Sequence, residues 1–599
     1  MIGRIRAVWA GPQGRAALLV LLVMVVWRGV LVGGSSFNQD DYFFASRADA
    51  SPLDLEFLFL TPNAGHVNPL QQLTFWLFVK AAPFGWTPIA VFLVASQALA
   101  VVVLWHLLSR LLPGRWVRVL LLAGFALAPL TLATTLWYAA AVCLWPHVTC
   151  SFAAVLFLVR ERQGVGARAA NLTGVVLAEV VGLLWHERAV LILPTLLAAA
   201  VLLEPTAGWR RVPRGLARLW GLWIGLLVLH AAFLLAHRAI TTVEGGGAGL
   251  RESVDITGAY VGQNVLPGLL SGPWSARLVG GAVETTTWAA VLAAVLAAVV
   301  AVAVLRVGGP ARRWAVAFLV LYVLADLTLV LAGRSGFGRV IGLDPRYSSD
   351  TLHAAVLAAA FALRDAPHHY GIAWRASWGR RRAQWLLGLG AAYTAGCVAG
   401  TAVLVPHFQN PADRAYVAAF RADLAADPQQ VVVDALVPPE IVLPLVGDDA
   451  LLSRVFAPLP EQPVFDQPSE RMRVVTPQGR LAPVELAAPV PAVPGPLPGC
   501  GHPIRTTPRA VPLQVPVQGR LVAHVGYFTD REVVVVLDVA GRQQEFLARP
   551  GPHELWFVLP DTGAPVDRIG FRLRGADLAG AAGATVCLAS LDVGLPVLP

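Results

Sequence analysis

The chain is a succession of long apolar segments separated by short loops, many of which carry arginine. Of its 599 residues 56% are hydrophobic and only 14% are charged, whereas a soluble domain has about 25% charged residues. A membrane span needs about 20 mainly apolar residues. We therefore predict a mainly α-helical transmembrane protein with about 11 spans. The predicted spans are residues 16–35, 86–109, 117–137, 139–160, 168–186, 188–204, 215–239, 283–306, 313–333, 350–365 and 383–405.

The positions of the arginines assign the loops to sides of the membrane. We interpret the first apolar run as an uncleaved span with a cytoplasmic N-terminus, so that alternate loops are cytoplasmic. Those loops carry the arginine tracts, as the positive-inside rule requires; the tracts lie in residues 110–118, 160–168, 210–218, 306–313 and 364–382. The net charge of +9 thus reflects membrane topology and argues against a nucleic-acid partner. We predict a multi-pass protein of the plasma membrane with its C-terminal region outside.

The composition changes after residue 405, where the apolar runs end. Residues 406–515 combine a short helical pattern, a strand-like Val431-Val432-Val433 and a proline-rich stretch, Pro477 to Pro516, which we predict to be a linker. Residues 516–599 alternate short strand patterns with turn signals, which predicts an extracytoplasmic β-sandwich. Cys500 and Cys587 flank this region and are candidates for a disulfide, two unpaired thiols being the alternative. The predicted organisation is a membrane domain over 1–405, a mixed segment over 406–515 and a sandwich over 516–599.

An acidic pair, Asp40-Asp41, follows the first predicted span directly. Ionisable groups at the membrane are costly unless they pair, line a wet cavity or do chemistry. Two adjacent acids resist ionising together, so their pKa values separate, which suits a site that needs a base and a partner group. The other interpretation is a loop that caps a helix.

Two further groups of polar residues lie on the same predicted outer side. One is the charged turn His186-Glu187-Arg188, for which an internally satisfied helix–helix turn is the alternative. The other comprises Arg334, Arg339 and Arg346-Tyr347. Arginine is disfavoured on this side, and its planar fork matches phosphate geometry, so these arginines predict an anionic ligand. Contact with lipid phosphates or with the C-terminal region is the alternative.

The order of these motifs resembles the GT-C superfamily of polytopic glycosyltransferases, which use polyprenyl- or dolichyl-phosphate-linked sugars and include the protein O-mannosyltransferases. The resemblance rests on the acidic pair, on Gly65-His66-Val67-Asn68-Pro69-Leu70, on the Glu187 turn and on Arg346-Tyr347. It covers roughly residues 16–405. Asp-Asp stands where protein mannosyltransferases tend to have Asp-Glu, and His-Glu-Arg replaces a frequent Lys-Glu, which leaves the donor sugar and the acceptor open.

The resemblance implies a role for each matching residue. Asp40 is the expected catalytic base, Asp41 orients the acceptor or holds a divalent cation such as Mg²⁺ or Mn²⁺, and Glu187 assists at the sugar. An arginine stabilises the leaving lipid phosphate. The expected substrate-binding residues are His66, Asn68, His186, Arg334, Arg339, Arg346 and Tyr347. The expected partners are a polyprenyl-phosphate-linked sugar, membrane lipid, and an acceptor glycan, protein or lipid; whether a metal takes part is open.

Three other functions compete with this interpretation. A lipid-linked sugar flippase would place polar groups near the membrane midplane, where Asp326 is the clearest acid. A rhomboid-like protease would use Gly333-Arg334-Ser335-Gly336 with His353, whereas a second histidine for a zinc protease motif is missing after His186-Glu187. A GT-C-like scaffold without catalysis would only present the sandwich for binding.

Overall fold

In the computed structural model, which describes residues 9–62, 65–206, 208–241, 247–307, 310–364, 375–561, 563–574 and 583–598, the first part of the chain is a bundle of apolar helices. Among the described residues, nine helical segments are long and apolar enough to cross a membrane, namely Pro12–Gly33, Trp86–Leu111, Val117–Thr135, Tyr138–Arg162, Arg168–Trp185, Trp220–Ile240, Thr287–Arg306, Arg312–Phe337 and Leu387–Ala426. This confirms a multi-pass membrane protein.

The chain divides into two compact units, Met1–Pro411 and Ala412–Pro599. The helices of the first unit are α1 Pro12–Gly33, α2 Asp40–Ala50, α3 Pro69–Ala81, α4 Trp86–Leu111, α5 Val117–Leu127, α6 Leu132–Thr135, α7 Tyr138–Arg162, α8 Arg168–Trp185, α9 Ile192–Leu203, α10 Arg211–Ala217, α11 Trp220–Ile240, α12 Leu250–Gly258, α13 Leu266–Leu269, α14 Thr287–Val307, α15 Pro310–Arg334, α16 Val340–Leu343, α17 Thr351–Arg364 and α18 Arg375–Phe408. A hairpin of β1 Ala276–Val279 and β2 Ala282–Thr285 lies between α13 and α14.

Two of the predicted spans are short helices in the structure. The run predicted over 188–204 contains a 3-10 turn, Glu187–Leu191, followed by the 12-residue α9. The run predicted over 350–365 is the 14-residue α17. Each is shorter than the roughly 20 residues that cross a bilayer as one straight helix.

The span that contains α5 is broken in its middle. Ala128 ends α5, and Pro129–Thr131 form a 3-10 turn before α6, because proline cannot continue an α-helix. Arg28 of α1, fully buried, donates from Nη2 to the carbonyl of Ala128 at 2.7 Å. A cation at the C-terminal end of a helix is favourable to the helix dipole.

Contacts between loops define two ends of the bundle. At one end the arginine-bearing loops meet: Arg110 contacts Gln163 at 3.4 Å, and Arg364 contacts the carbonyl of Leu202 at 3.4 Å. At the other end His66 contacts both Glu187 and Arg334. The arginine-bearing loops that make these contacts therefore lie at one end of the first unit, and the loops that carry His66, Glu187 and Arg334 lie at the other.

The second unit contains helices α19 Pro411–Ala426 and α20 Leu452–Val455 and three sheets. Its strands are β3 Val431–Val432, β4 Val464–Phe465, β5 Met472–Val475, β6 Leu481–Pro483, β7 Glu485–Pro491, β8 His502–Ile504, β9 Arg509–Val517, β10 Val522–Thr529, β11 Val533–Val539, β12 Arg542–Ala548, β13 Gly551–Val558, β14 Val566–Leu573 and β15 Val586–Val597. Two sheets, with strand orders β13-β10-β15-β7 and β12-β11-β14-β9, enclose one hydrophobic core, and β8 pairs with β15. A smaller sheet has the order β4-β3-β5-β6.

The strand patterns predicted from residue 520 onward coincide with strands β10 to β15, but the proline-rich stretch differs from its prediction as a linker. It contains β7, β8 and β9, which pair with β15 and β14. Strands β7 and β9 are edge strands of their sheets. Proline has no N–H for a sheet ladder and is confined mainly to edge strands, so Pro489 and Pro512 are compatible with both positions. The sandwich therefore begins near residue 485 and not at 516.

Cys500 and Cys587 form a disulfide. The bond connects the segment before β8 to β15, across 87 residues of sequence. A cross-link over a loop of this length restricts the unfolded chain and stabilises the folded one.

We expect the double variant Cys500→Ser/Cys587→Ser to lower the stability of the second unit by about 2–5 kcal/mol. Differential scanning calorimetry of the full chain in detergent, in which the two units unfold as separate transitions, measures the loss. Cys143→Ser, which removes a buried free thiol of the first unit, is the control. An unchanged transition of the second unit in the double variant would contradict the stabilising role.

Candidate functional site

Asp40 lies at an exposed helix start. Asp40 and Asp41 are the first residues of α2, where carboxylates are stabilised by the N-terminal end of the helix dipole. Phe44 of α2 contacts Phe75 of α3 at 5.3 Å between ring centroids, and Phe75 contacts Tyr138 of α7 at 4.2 Å. These aromatic contacts fix α2 against the bundle. The side chain of Asp40 is 48% exposed and remains open to a substrate.

Arg346 lies next to Asp40. Its Nη1 is 3.6 Å from Asp40 Oδ2, while Asp344 Oδ2 accepts from its Nε at 2.8 Å and from Nη2 at 2.6 Å. The guanidinium carbon lies 3.6 Å from the ring centroid of Trp137, a cation–π contact. Burial by itself would lower the pKa of Arg346, but Asp344 and then Asp40 raise it above its ordinary value. The sequence analysis did not select Asp344, although Asp before Pro345 is typical of a cap on a short turn.

Asp41 has a different environment from its neighbour. It is fully buried; Oδ2 accepts from the backbone N–H of Asn38 at 2.8 Å and Oδ1 from that of Ala139 at 2.7 Å. Burial raises the pKa of Asp41 well above its ordinary value, and the two backbone hydrogen bonds oppose that rise. These contacts join the start of α2 to the start of α7. Asp41 therefore fixes the helix start that carries Asp40, and its own carboxylate is shielded from solvent.

Glu187 is the centre of a second group of side chains. His66 Nδ1 lies 2.6 Å from Glu187 Oε1, and His66 Nε2 contacts Arg334 Nη2. With its amide turned to match its neighbours, Asn68 donates to Glu187 Oε2 at 2.8 Å. His186 Nε2 is 3.9 Å from Glu187 Oε1. Burial opposes the ionisation of Glu187, but contact with His66 and His186 holds its pKa well below the ordinary value, so Glu187 is ionised at neutral pH.

Tyr347 connects the two groups of side chains. Its ring centroid is 5.7 Å from the guanidinium carbon of Arg346 and 5.4 Å from that of Arg188. Burial raises the pKa of Tyr347, and the charges of Arg346, Arg334 and Arg188 oppose that rise. The ring therefore lies against two arginines, Arg346 and Arg188. The structure brings together Asp40, Glu187, His66, Asn68, His186, Arg334, Arg346 and Tyr347 at one end of the bundle.

Arg188 holds a buried network that the sequence analysis did not include among the site residues. Its Nη1 is 3.1 Å from Asp326 Oδ1 and 3.1 Å from Asp350 Oδ1, and it donates to the carbonyl of Tyr347 at 2.8 Å. Tyr260 donates to Asp326, and Tyr322 donates to Asp350 at 3.1 Å. Arg188 lies 159 residues from Tyr347 and 162 residues from Asp350 in the chain, which hides its place in this network from any local pattern. The network ties the turn after α8 to the loop that carries Arg346.

Arg339 is placed differently from the other predicted arginines. Its Nη2 is 2.6 Å from Glu284 Oε1 in β2, and the same carboxylate also binds Arg277 of β1 at 2.5 Å. Arg339 thus attaches the β-hairpin to the segment after α15. No contact recorded for it joins it to Asp40 or Glu187 among the described residues.

Ser335 and His353, the pair that a rhomboid-like protease would need, have other partners. His353 Nε2 lies 3.1 Å from Ser151 Oγ, and Ser335 Oγ accepts from the N–H of Ala248 at 3.4 Å. The serine therefore lies in the segment after α15 and the histidine inside α17, against α7. This geometry does not support a serine–histidine nucleophile.

The residues at the acidic pair do not fit a divalent cation. Both oxygens of Asp41 are engaged by backbone N–H groups, whereas Mg²⁺ and Ca²⁺ need several free oxygen ligands. In the part of the chain that the structure describes, no group of three or more His, Cys, Asp and Glu side chains is placed to hold a metal.

Comparison with known proteins gives structural likenesses only. No protein-family profile matches the chain, and no curated protein matches it in sequence. Among solved structures, it is similar to ArnT from Cupriavidus metallidurans bound to undecaprenyl phosphate, with 14% identity, a TM-score of 0.43 and coverage of 78% of this chain and 94% of that one. It is also similar to the arabinofuranosyltransferase AftD from mycobacteria, with 13% identity, a TM-score of 0.34 and coverage of 96% of this chain and 61% of that one. The chain therefore spans less than two thirds of AftD, and neither likeness carries an argument about chemistry.

We expect Arg188→Met to destabilise the first unit by about 3–5 kcal/mol, because it leaves the carboxylates of Asp326 and Asp350 buried without their cation. The thermal midpoint of the purified chain in detergent measures this loss. Arg277→Met, at a residue whose side chain is 73% exposed, is the matched control and should change stability little. Equal midpoints for the two variants would show that Arg188 does not neutralise the buried pair.

Proposed function

We propose that this chain is a membrane glycosyltransferase that moves a sugar from a polyprenyl-phosphate donor to an acceptor hydroxyl on the extracytoplasmic face. The observation that carries the proposal is the contact of an accessible carboxylate, Asp40, with Arg346, at the end of a bundle of membrane helices where His66 also contacts Arg334. A lipid-linked donor has its phosphate at the membrane surface and its tail among the helices, which is the arrangement that such a site requires.

Asp40 is the proposed base. Its carboxylate takes the proton of the acceptor hydroxyl as the acceptor oxygen bonds to the anomeric carbon of the sugar. The bond from that carbon to the phosphate oxygen breaks, and its electron pair leaves with the polyprenyl phosphate. The contact with Arg346 at 3.6 Å orients the carboxylate. Asp41, held by backbone N–H groups, fixes the helix start that presents Asp40.

Arginine supplies the stabilisation of the leaving phosphate, because its fork donates two parallel hydrogen bonds to phosphate oxygens. Tyr347, between the arginines, is the proposed partner for a sugar or phosphate oxygen. Glu187, His66, Asn68 and His186 form the adjacent wall of the site.

One observation supports an extracytoplasmic second unit, and another supports an extracytoplasmic site in the first. The second unit contains the Cys500–Cys587 disulfide, and disulfides persist in oxidising compartments. The opposite end of the bundle has the arginine-bearing loops, which the positive-inside rule assigns to the cytoplasm. The sugar, the acceptor and the part played by the second unit are open in this proposal.

The flippase alternative has less support from the geometry. The mid-span acid on which it depended, Asp326, is bound by Arg188 and Tyr260. A carboxylate in such contacts stabilises the bundle and does not line an open path for a polar headgroup.

We expect Asp40→Asn to lower sugar transfer by about 10²–10⁴-fold, since the amide cannot accept the proton of the hydroxyl. The assay supplies membranes containing the variant with a radiolabelled polyprenyl-phosphate sugar. Asp49→Asn removes a carboxylate of the same helix that pairs with Lys80 at 2.7 Å, and should leave transfer unchanged. Wild-type transfer by Asp40→Asn would exclude Asp40 as the base, and flipping of the intact donor without its consumption would favour the transporter.

Single cysteines introduced at Glu56 and Gly336 should react with a membrane-impermeant maleimide from outside intact cells. A cysteine at Arg210, on an arginine-bearing loop, should react only after permeabilisation. The three positions are exposed in the structure. Labelling of Arg210→Cys from outside, with protection of the other two, would reverse the proposed topology.

A further inference from the structure

We infer that Arg346 binds the acceptor hydroxyl beside Asp40, and that Trp137 and Asp344 are positioning residues that direct one guanidinium nitrogen, Nη1, to that place. The pair Asp40 and Arg346, here called the acceptor pair, rests on the proposed function and completes its acceptor site. Both members of the pair touch the substrate, whereas Trp137 and Asp344 act through Arg346.

Asp344 occupies one edge of the Arg346 guanidinium. Its Oδ2 accepts from Nε at 2.8 Å and from Nη2 at 2.6 Å, and its Oδ1 accepts from the backbone N–H of Arg346 at 2.9 Å. The same carboxylate therefore caps the short turn Pro345–Tyr347 and fixes the plane of the guanidinium. Among the described residues Nη1 has no hydrogen-bond acceptor, because Asp40 Oδ2, at 3.6 Å, is beyond hydrogen-bond distance. Nη1 is thus the nitrogen left for a ligand.

Trp137 covers one face of the same guanidinium. The guanidinium carbon lies 3.6 Å from the ring centroid of Trp137, which is only 9% exposed. A buried indole that stacks on a guanidinium restricts its rotation. Asp344 and Trp137 together therefore give Arg346 a fixed orientation, and the edge that they leave uncovered carries Nη1.

The start of α7 sets the separation of the acceptor pair. Trp137 directly precedes α7 and stacks on Arg346, while the backbone N–H of Ala139 donates to Asp41 Oδ1 at 2.7 Å. Asp41 follows Asp40 in the first turn of α2. Two residues of one short segment therefore hold both the helix start that carries Asp40 and the side chain of Arg346, so a shift of that segment would move both.

A hydroxyl fits the acceptor pair better than a phosphate does. A hydroxyl oxygen can accept one hydrogen bond and donate another, so it can accept from Nη1 while it gives its proton to Asp40. Arg346 already has two carboxylates, Asp344 at 2.6 Å and Asp40 at 3.6 Å, so the three side chains together are net negative. This negative charge repels a phosphate and does not repel a neutral hydroxyl. The donor phosphate is therefore left to other groups at this end of the bundle.

The test separates sugar transfer from donor binding. Transfer is measured in membranes with a radiolabelled polyprenyl-phosphate sugar, and the Kd for undecaprenyl phosphate is measured by native mass spectrometry on the full chain in lipid nanodiscs. We expect Trp137→Leu and Asp344→Leu to lower transfer about 10–100-fold, because a displaced guanidinium no longer orients the hydroxyl. Their Kd should stay within about twofold of the wild-type value. Trp137→Phe and Asp344→Asn, which keep a ring and an acceptor oxygen, should recover part of the lost transfer.

Arg346→Gln should lower transfer to a similar degree, and in its background Trp137→Leu should have no further effect, because the group that it positions is gone. Trp220→Leu replaces an indole on α11 that is 68% exposed; it is the matched control and should transfer as the wild type does. Thermal midpoints separate a loss of transfer from a loss of folding. If Trp137→Leu or Asp344→Leu does not fold, Trp137→Phe and Asp344→Asn carry the test with a smaller expected loss.

Wild-type transfer in the folded Trp137 and Asp344 variants, or a further loss when Trp137→Leu is added to Arg346→Gln, would overturn the positioning. A Kd for undecaprenyl phosphate about tenfold weaker in Arg346→Gln would place Arg346 on the donor phosphate and overturn its assignment to the acceptor. Both outcomes leave the glycosyltransferase proposal intact if Asp40→Asn still loses transfer. Failure of the wild-type chain to consume the polyprenyl-phosphate sugar would overturn the proposed function and the acceptor pair together.

Discussion

A charged side chain that is buried away from water needs an oppositely charged partner. In the first unit one arginine is the partner of two buried carboxylates, and the structure of the unit depends on this interaction. Arg188 lies 3.1 Å from both Asp326 and Asp350, and all three side chains are buried. Without the cation each carboxylate would be strongly unfavourable among apolar helices. The ion pair also fixes the geometry above it, because Arg188 follows Glu187 directly and donates to the carbonyl of Tyr347, next to Arg346. The positions of the proposed catalytic groups thus depend on a buried interaction that touches no substrate.

The site contains two arginines in contrasting surroundings. Arg346 is held between Asp344, Asp40 and the ring of Trp137, so its charge is largely balanced before any ligand arrives. Arg334 is in contact with His66, which lies against Glu187. A glycosyl transfer needs one group to keep a base ionised and another to stabilise an anionic leaving group. In the proposed function these two tasks fall to Arg346 and Arg334.

The adjacent acids Asp40 and Asp41 show what a local sequence motif predicts and what it leaves to the packing of the helices. The pattern indicated that Asp40 and Asp41 would have different environments, because two like charges separate their pKa values. In the structure burial raises the pKa of Asp41, and the two environments differ because Asp41 is buried whereas the side chain of Asp40 is 48% exposed. Successive residues of an α-helix point about 100° apart, so at the start of α2 one carboxylate faces solvent and Arg346, while the other faces the bundle and the N–H of Ala139. Which of the two is accessible depends on how α2 packs, and a sequence contains no such information.

The sequence by itself determined the membrane character, the alternation of arginine-bearing and site-bearing loops, and the strands from Val522 onward, because apolar length, loop charge and two-residue periodicity are local properties. It misassigned the proline-rich strands β7 and β9, since an edge position is known only when the neighbouring strands are placed. Tertiary structure alone decided that Arg339 pairs with Glu284, that Arg188 joins two acids and that His66 lies between Glu187 and Arg334. Each of these contacts links residues far apart in the chain, and their energy depends on distance and burial, which only the packed helices define.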